Sequence, residues 1–442
     1  MTLDALLRGA TPSLDDAIAR RAGDLRAAGV GRGDAVCFRA PNRNETVVSY
    51  RACWRLGAVA VPIHHLAGAE DIVRIAAAVD AAVEPDAELP HGAPVFDDAA
   101  QPDDIAVVLF TSGSSGTPKG VRHSQRALAT KGSTMARVHA LTRDDAVLMP
   151  APLAHVSGLL NAILVAGAAG MRSVLMERWD PDHALELIER ERITFMIGPP
   201  TFFIDLMAAK TFSPSRVESL RLVSSGGAGV TPAFVDRATR ELGCLVKRTY
   251  GSTEAPTVTT SFAGDDPAKA RTTDGRPVGD VELRTHPETG ELELRGSELF
   301  VGYTDPVATA AAFTADGWFR TGDIGEIDAD GWLTIVGRIK DVIIRAGENI
   351  SAAEVEGVLE AHPDVDAAVA VGYPDERLGE RVAAFVVAVP TFDVDACRAW
   401  FEGQGIARFK TPERVVVMVD LPRLESGKPD REALRRLAAD IH

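Results

Sequence analysis

Short apolar runs alternate with helix-length segments through roughly the first half of the chain, and that alternation restricts the fold more than any other feature of the sequence. The runs lie at 35–38, 58–63, 105–110, 146–149, 173–176, 195–197 and 221–224. Amphipathic stretches such as 13–28, 47–56 and 69–79 accompany them, with Ser13 placed to cap the first. Runs of this kind are strands buried on both faces, and crossover helices between them make neighbouring strands parallel. The expectation is an α/β body.

Near residue 275 the texture changes. Segments 291–295, 322–327 and 331–336 alternate apolar and polar residues around turns such as Asp330-Gly331, which predicts a small antiparallel β-rich subdomain. Beyond 337–341 a further unit of helix 352–361, strands 366–373 and 381–389 and helix 394–404 follows. The expected fold class is therefore α/β: a large N-terminal domain with a β-rich subdomain, then a small α+β C-terminal domain. The expected boundaries are 1–337, a hinge at 338–341, and 342–442. A length of 442 residues suits two or three folding units rather than one core.

A net charge of −16 without a basic block argues against a nucleic-acid partner, because phosphate backbones are met by clustered Lys and Arg. No run is long and apolar enough to predict a membrane span, and the first residues lack a secretory pattern, so the expected location is the cytoplasm. Cys37, Cys53, Cys244 and Cys397 are too scattered for a zinc site or a disulfide framework and read as reduced thiols. Of 47 basic residues only eight are lysine. A chain that uses Arg by default uses Lys where a compact, mobile ammonium is wanted. Lys119, Lys340 and Lys428 all fall inside motifs.

The first motif directly follows the strand ending at Phe110. Its residues are Thr111, Ser112, Gly113, Ser114, Ser115, Gly116, Thr117, Pro118, Lys119 and Gly120. Glycines let backbone N–H groups approach phosphate oxygens, hydroxyls add donors, and Lys119 adds charge. It is not a Walker A loop, since Lys119 precedes Gly120 rather than Ser or Thr. A Ser/Gly-rich surface loop is the bland alternative, and the order of the residues decides against it.

This string closely resembles the phosphate loop of the adenylate-forming superfamily, which includes acyl-CoA synthetases, peptide-synthetase adenylation domains and firefly luciferases. Further motifs of that family follow in order: Pro152-Leu-Ala-His155, Ser225-Gly-Gly-Ala228, Tyr250-Gly-Ser-Thr-Glu254, Gly317-Trp-Phe-Arg-Thr-Gly-Asp323, Gly337-Arg338, Lys340-Asp341, Ala346-Gly-Glu-Asn-Ile350 and Ser426-Gly-Lys428. The resemblance implies an ATP- and Mg²⁺-dependent carboxylic acid:CoA ligase that forms an acyl-adenylate and then a thioester. It implies that Thr111 to Lys119 hold the pyrophosphate portion, that Glu254 and Thr111 serve the metal, and that Thr253 touches the α-phosphate. Asp323 and Arg338 would hold the ribose; Gly226, Gly227, Ala228, Tyr250 and Gly251 would border adenine and acyl group. Lys428 would bridge carboxylate and phosphate, His155 would gate the acyl pocket, Lys340 would be the hinge, and Gly347 would border the pantetheine of coenzyme A.

The phosphate loop begins several tens of residues earlier than is usual for that family. The segment after His155 lacks the aspartate that amino-acid-activating relatives use, and the expected lining of Val156, Phe202, Phe203 and Ser225 suits an apolar or aromatic acid. The acceptor thiol stays open between free coenzyme A and a carrier protein, and a homodimer stays open too. A non-catalytic adenylate-binding regulator is a third reading, which would have no need of Lys428, Glu254 and the whole loop.

Overall fold

The computed structural model describes residues 1–7, 12–85, 87–111, 119–424 and 428–440. Two large sheets form the body. One runs in the order Ala35–Arg39, Val59–Ile63, Ile105–Thr111, Lys119–Ser124 and Gly302–Tyr303. Its first three strands are parallel, as expected, but Lys119–Ser124 turns back antiparallel on Ile105–Thr111 and Gly302–Tyr303 is antiparallel again. The second sheet has a parallel centre of Leu245–Tyr250, Leu222–Gly226, Phe195–Gly198, Ala146–Met149 and Arg172–Leu175, with two short antiparallel strands at one edge.

Local chemistry places the helices that link these strands. Ser124, Asp180 and Thr231 each accept a backbone N–H three residues on, and Pro181 and Pro232 stand in the first turn of their helices. Ser13 does not cap as expected. It lies in a short 3-10 turn, Pro12–Leu14, and the helix Asp15–Ala27 starts from Leu14 without a side-chain cap. After His155 the chain forms one short helical turn and then a wholly buried π-helical segment, Leu159–Val165. A core running from Phe38 and Trp54 through Val107 to Met149 and Phe195 joins the two sheets.

The β-rich expectation holds. Glu282–Thr285, Glu291–Arg295, Phe319–Ile327 and Leu333–Arg338 form an antiparallel four-stranded sheet. Past it, Val342–Arg345, Glu348–Ser351, Val365–Asp375, Gly379–Ala388 and Arg414–Met418 build a mixed sheet packed by Ala352–Glu360, Val394–Gly403 and Arg431–Asp440. The four cysteines are buried and unpaired. Among the described residues, no helix is long and apolar enough to cross a membrane.

Candidate active site

Strand ends converge on one region. Tyr250 closes its strand, and residues 251–258 fold back so tightly that a Cβ on Gly251 would stand 2.4 Å from the Thr257 nitrogen. Val258 N–H returns to the Tyr250 carbonyl at 2.8 Å, and Thr257 takes the unusual φ of +38°. The loop is held from below. His123 Nε2 lies 2.8 Å from the Thr253 carbonyl, and Lys131 Nζ donates to the Thr257 carbonyl at 3.1 Å. Lys131 also pairs with Glu298 at 2.5 Å, both side chains being almost fully buried. Breaking a buried pair by removing one partner is costly, so this pair fixes the loop rigidly.

Thr253 and Glu254 are thereby presented on a fixed backbone. The Tyr303 hydroxyl donates to Glu254 Oε1 at 2.8 Å. Lys119 Nζ stands 5.4 Å from the Tyr303 ring centroid. Thr111 and Lys119 face each other across paired strands, so the two ends of the phosphate motif are brought together. Ser112, Gly113, Ser114, Ser115, Gly116 and Thr117 lie outside the described residues.

Asp323 is buried and doubly engaged. It accepts from the Tyr250 hydroxyl at 2.6 Å through Oδ2 and from Arg338 Nε at 2.8 Å through Oδ1. Burial, then the Asp323 charge, pushes the Tyr250 phenol well above its ordinary range. Gly226 packs so close to the Thr249 carbonyl that a Cβ would sit 2.2 Å away, whereas Gly227 has φ +78° and faces the C-terminal part of the chain. A Cβ there would meet Lys428 Cε at 3.3 Å and Nζ at 3.7 Å. Ala228 is half-buried beside it.

Lys428 is drawn into this cluster from far along the sequence. Burial, then Arg338, lowers its pKa from the lysine range, while Asp323 and Glu254 act the other way. His155 caps the turn Val156–Gly158, its Nδ1 accepting from Ser157 N–H at 3.2 Å. Burial, then Lys428 and His64, lowers the imidazole to about 4, so the ring is neutral. The cluster combines one buried carboxylate met by Tyr250 and Arg338, one carboxylate with an oxygen to spare, and a partly buried ammonium against Gly227 that feels both charges.

The sequence matches the description "AMP-binding enzyme" over residues 12–84 and 80–304, and "AMP-binding enzyme C-terminal domain" over 354–428. The chain belongs to the AMP-binding enzyme family. It is 32% identical to the medium-chain fatty-acid–CoA ligase of Escherichia coli (strain K12), over 97% of this chain and 86% of that protein. It is 32% identical to the indoleacetate–CoA ligase of Aromatoleum aromaticum, over 96% and 92%. The crystal structure of ATP-bound MatB from Rhodopseudomonas palustris superposes with a TM-score of 0.87 at 30% identity, covering 97% of this chain and 93% of that one.

Within this AMP-binding enzyme, the expected residues Lys428, Gly227, Asp323, Arg338, Tyr250, Glu254, Thr253 and His155 gather in one region. Gly347 is not drawn into it. It forms, with Ala346 at φ +52°, the exposed turn between Val342–Arg345 and Glu348–Ser351, and a Cβ at Gly347 meets nothing within 4 Å. Lys340 sits exposed in the short turn Ile339–Asp341. Phe203 corrects the expected acyl lining. It is fully buried against Phe234 in the core on the far side of the helix Pro200–Ala208, while Phe202 on the near side packs at a tilt on Trp179. Adjacent helix positions point about 100° apart, and here the two rings pack into different cores. His123, Lys131 and Glu298 escaped sequence reasoning, although the scarcity of lysine was a signal for Lys131.

Proposed function

We propose that this enzyme joins a carboxylic acid to coenzyme A in two steps on one site, using Lys428 for the first step only. In that step a carboxylate oxygen attacks the α-phosphorus of ATP. The new P–O bond gives the acyl-adenylate as the bond to pyrophosphate breaks. In the second, the sulfur of coenzyme A attacks the acyl carbon, the thiol proton is released, and AMP leaves.

The carrying observation is Lys428 seated against Gly227, within electrostatic reach of Asp323 and Glu254. Two anions must meet for adenylation, and an ammonium held in a water-poor site offsets their repulsion far better than one in solvent. Asp323 takes the ribose hydroxyls, since each carboxylate oxygen retains a lone pair beyond those met by Tyr250 and Arg338. Thr111, Ser112, Gly113, Ser114, Ser115, Gly116, Thr117 and Lys119 hold the β- and γ-phosphates. Thr253 reaches the α-phosphate. Gly227 and Ala228 border adenine and the acyl group, as do the backbones of Gly226 and Gly251, whose missing side chains admit the Thr249 carbonyl and the Thr257 nitrogen.

Glu254 fits a magnesium ion: Tyr303 engages Oε1, which leaves Oε2 as a hard oxygen donor. Magnesium commonly takes one or two carboxylates plus substrate phosphates, and the described residues contain no cluster of three or more metal-ligating side chains that would suit another metal. Bound there, with Thr111 at its margin, magnesium would neutralise phosphate charge. His155 borders the acyl pocket as a neutral gate, its remaining proton on Nε2, and takes no part in proton transfer. An apolar or aromatic acid suits the Val156, Phe202 and Trp179 surfaces.

The chain divides functionally at 338–341, between an adenylating body of 1–337 and a C-terminal domain of 342–442. Lys340 is the pivot. Rotation about it withdraws Lys428 and brings the Gly347 turn to the site for the thiol. Mass spectrometry after incubation with ATP, Mg²⁺, coenzyme A and a panel of acids tests this reading. Acyl-CoA, AMP and pyrophosphate in equal amounts are expected. Thioester formed only on a phosphopantetheine carrier would reassign the acceptor, and no adenylate with any acid would remove the enzymatic reading.

A further inference from the structure

Lys428 is presented by a short antiparallel pairing of the chain with itself. Arg423 bridges Pro429, Leu424 N–H donates to the Lys428 carbonyl at 2.8 Å, and Asp430 N–H donates to the Pro422 carbonyl at 2.8 Å. Wherever Arg423 is anchored, Lys428 follows.

The anchor is Asp205, on the helix Pro200–Ala208 of the N-terminal body. Arg423 Nη1 donates to Asp205 Oδ2 at 2.9 Å and Nη2 reaches Oδ1 at 3.3 Å, a forked contact across 218 positions of sequence. Trp179 Nε1 donates to the same Oδ2 at 2.9 Å and packs at a tilt on Phe202 with centroids 4.6 Å apart, which holds the carboxylate independently of Arg423. Both partners are about three-quarters buried. Among the described residues, Arg237 and Asp366 also pair between these parts of the chain, at a longer 3.3 Å and with the Asp366 side chain far more exposed. Solvent and salt weaken such an exposed pair, whereas a forked guanidinium–carboxylate contact in a partly dry setting keeps both its strength and its direction.

We propose that Asp205 and Arg423 form a latch that holds the C-terminal part of the chain in the adenylating arrangement. They are positioning residues, and the proposal rests on the adenylating role of Lys428 given above. Opening the latch releases Lys428 for the second step, so its loss penalises the two half-reactions unequally.

The test uses Asp205→Asn, Arg423→Gln and the double variant of the full-length protein, each checked for an unchanged melting temperature, with Arg423→Lys as the conservative comparison. Pyrophosphate release at saturating ATP and acid is expected to slow about fivefold in each single variant, the scale of a partly buried ion pair. The double variant should be no slower than either single one, because both remove one contact. Thioester formation from supplied acyl-adenylate should hold at the parental rate or exceed it, and Arg423→Lys should recover part of the loss. Equal slowing of both half-reactions, additive losses in the double variant, or no slowing at all would overturn the latch while leaving the parental activity as evidence for the ligase reading. A parental protein that makes no adenylate would overturn that reading, and the latch with it.

Discussion

Asp323 and Arg338 are register partners on adjacent antiparallel strands, and the guanidinium Nε meets the carboxylate at 2.8 Å while Tyr250 holds its other oxygen. Placing the acid and the base in one ladder means that no loop has to order before this pair, the proposed ribose site, exists.

Asp323→Asn should therefore damage binding more than folding. The amide presents an N–H₂ to groups that are themselves donors, and leaving a buried donor unmet costs about 1–3 kcal/mol. The expected outcome is an ATP KM raised at least about tenfold, with a smaller effect from Arg338→Ala because Arg338 is half exposed. Steady-state kinetics with varied ATP measures both.

Lys428 supplies a pH dependence. Its pKa is held below the lysine range, chiefly by burial. In the proposed role adenylation needs the charged form, so it should fall as pH rises through that lowered value, at lower pH than an exposed lysine would dictate. Stability moves the other way in the same window, since the unfolded chain there binds the extra proton. Pyrophosphate release followed from pH 7 upward shows the loss. Lys428→Ala should abolish adenylation while thioester formation from supplied acyl-adenylate survives.

At Gly347 the present arrangement offers open space, so the fold itself does not exclude a side chain there. The positive φ of +89° makes any substitution somewhat strained. Gly347→Leu should leave pyrophosphate release within about twofold of the parent, within the tolerance of an exposed site, and block transfer to coenzyme A. Gly347→Ala should show the same strain with a milder block, and single-turnover assays of the two half-reactions separate the effects.

His123 predicts an acid sensitivity. Burial pushes its imidazole to about 4, with Thr253 and Glu254 acting in the opposite direction. The fold holds it neutral, the unfolded chain protonates near 6.5, and stability present above 6.5 is lost as pH falls toward 4. The full contribution is on the order of 3 kcal/mol. His123→Leu should flatten the fall in melting temperature between pH 6.5 and 4, and should raise the ATP KM a few-fold by releasing the Thr253 carbonyl.

The residues that meet the nucleotide in this reading were largely legible in the chain, because short strings carry them. The string 111–120 carries its hydroxyls, glycines and lysine in one run, and the Tyr250-to-Glu254 and Gly317-to-Asp323 strings each combine strand, turn and functional group within a few residues. Periodicity likewise marked the central strands and most helices, although the return of Lys119–Ser124 antiparallel to Ile105–Thr111 was not marked. Phe202 and Phe203 show the limit at a single helix. They are neighbours of the same type, and only packing assigns one to the Trp179 side and the other to the opposite core.

The sequence by itself determined the order of strands, turns and motif residues, since backbone preference and apolar periodicity act over a few residues. Tertiary structure alone decided that Arg423 meets Asp205, that Lys131 and Glu298 pair beneath the 251–258 loop, and that Lys428 reaches Gly227. Such contacts join groups more than a hundred positions apart. Their energy comes from water excluded by the packed sheets around them, a condition no local stretch of chain can create or announce.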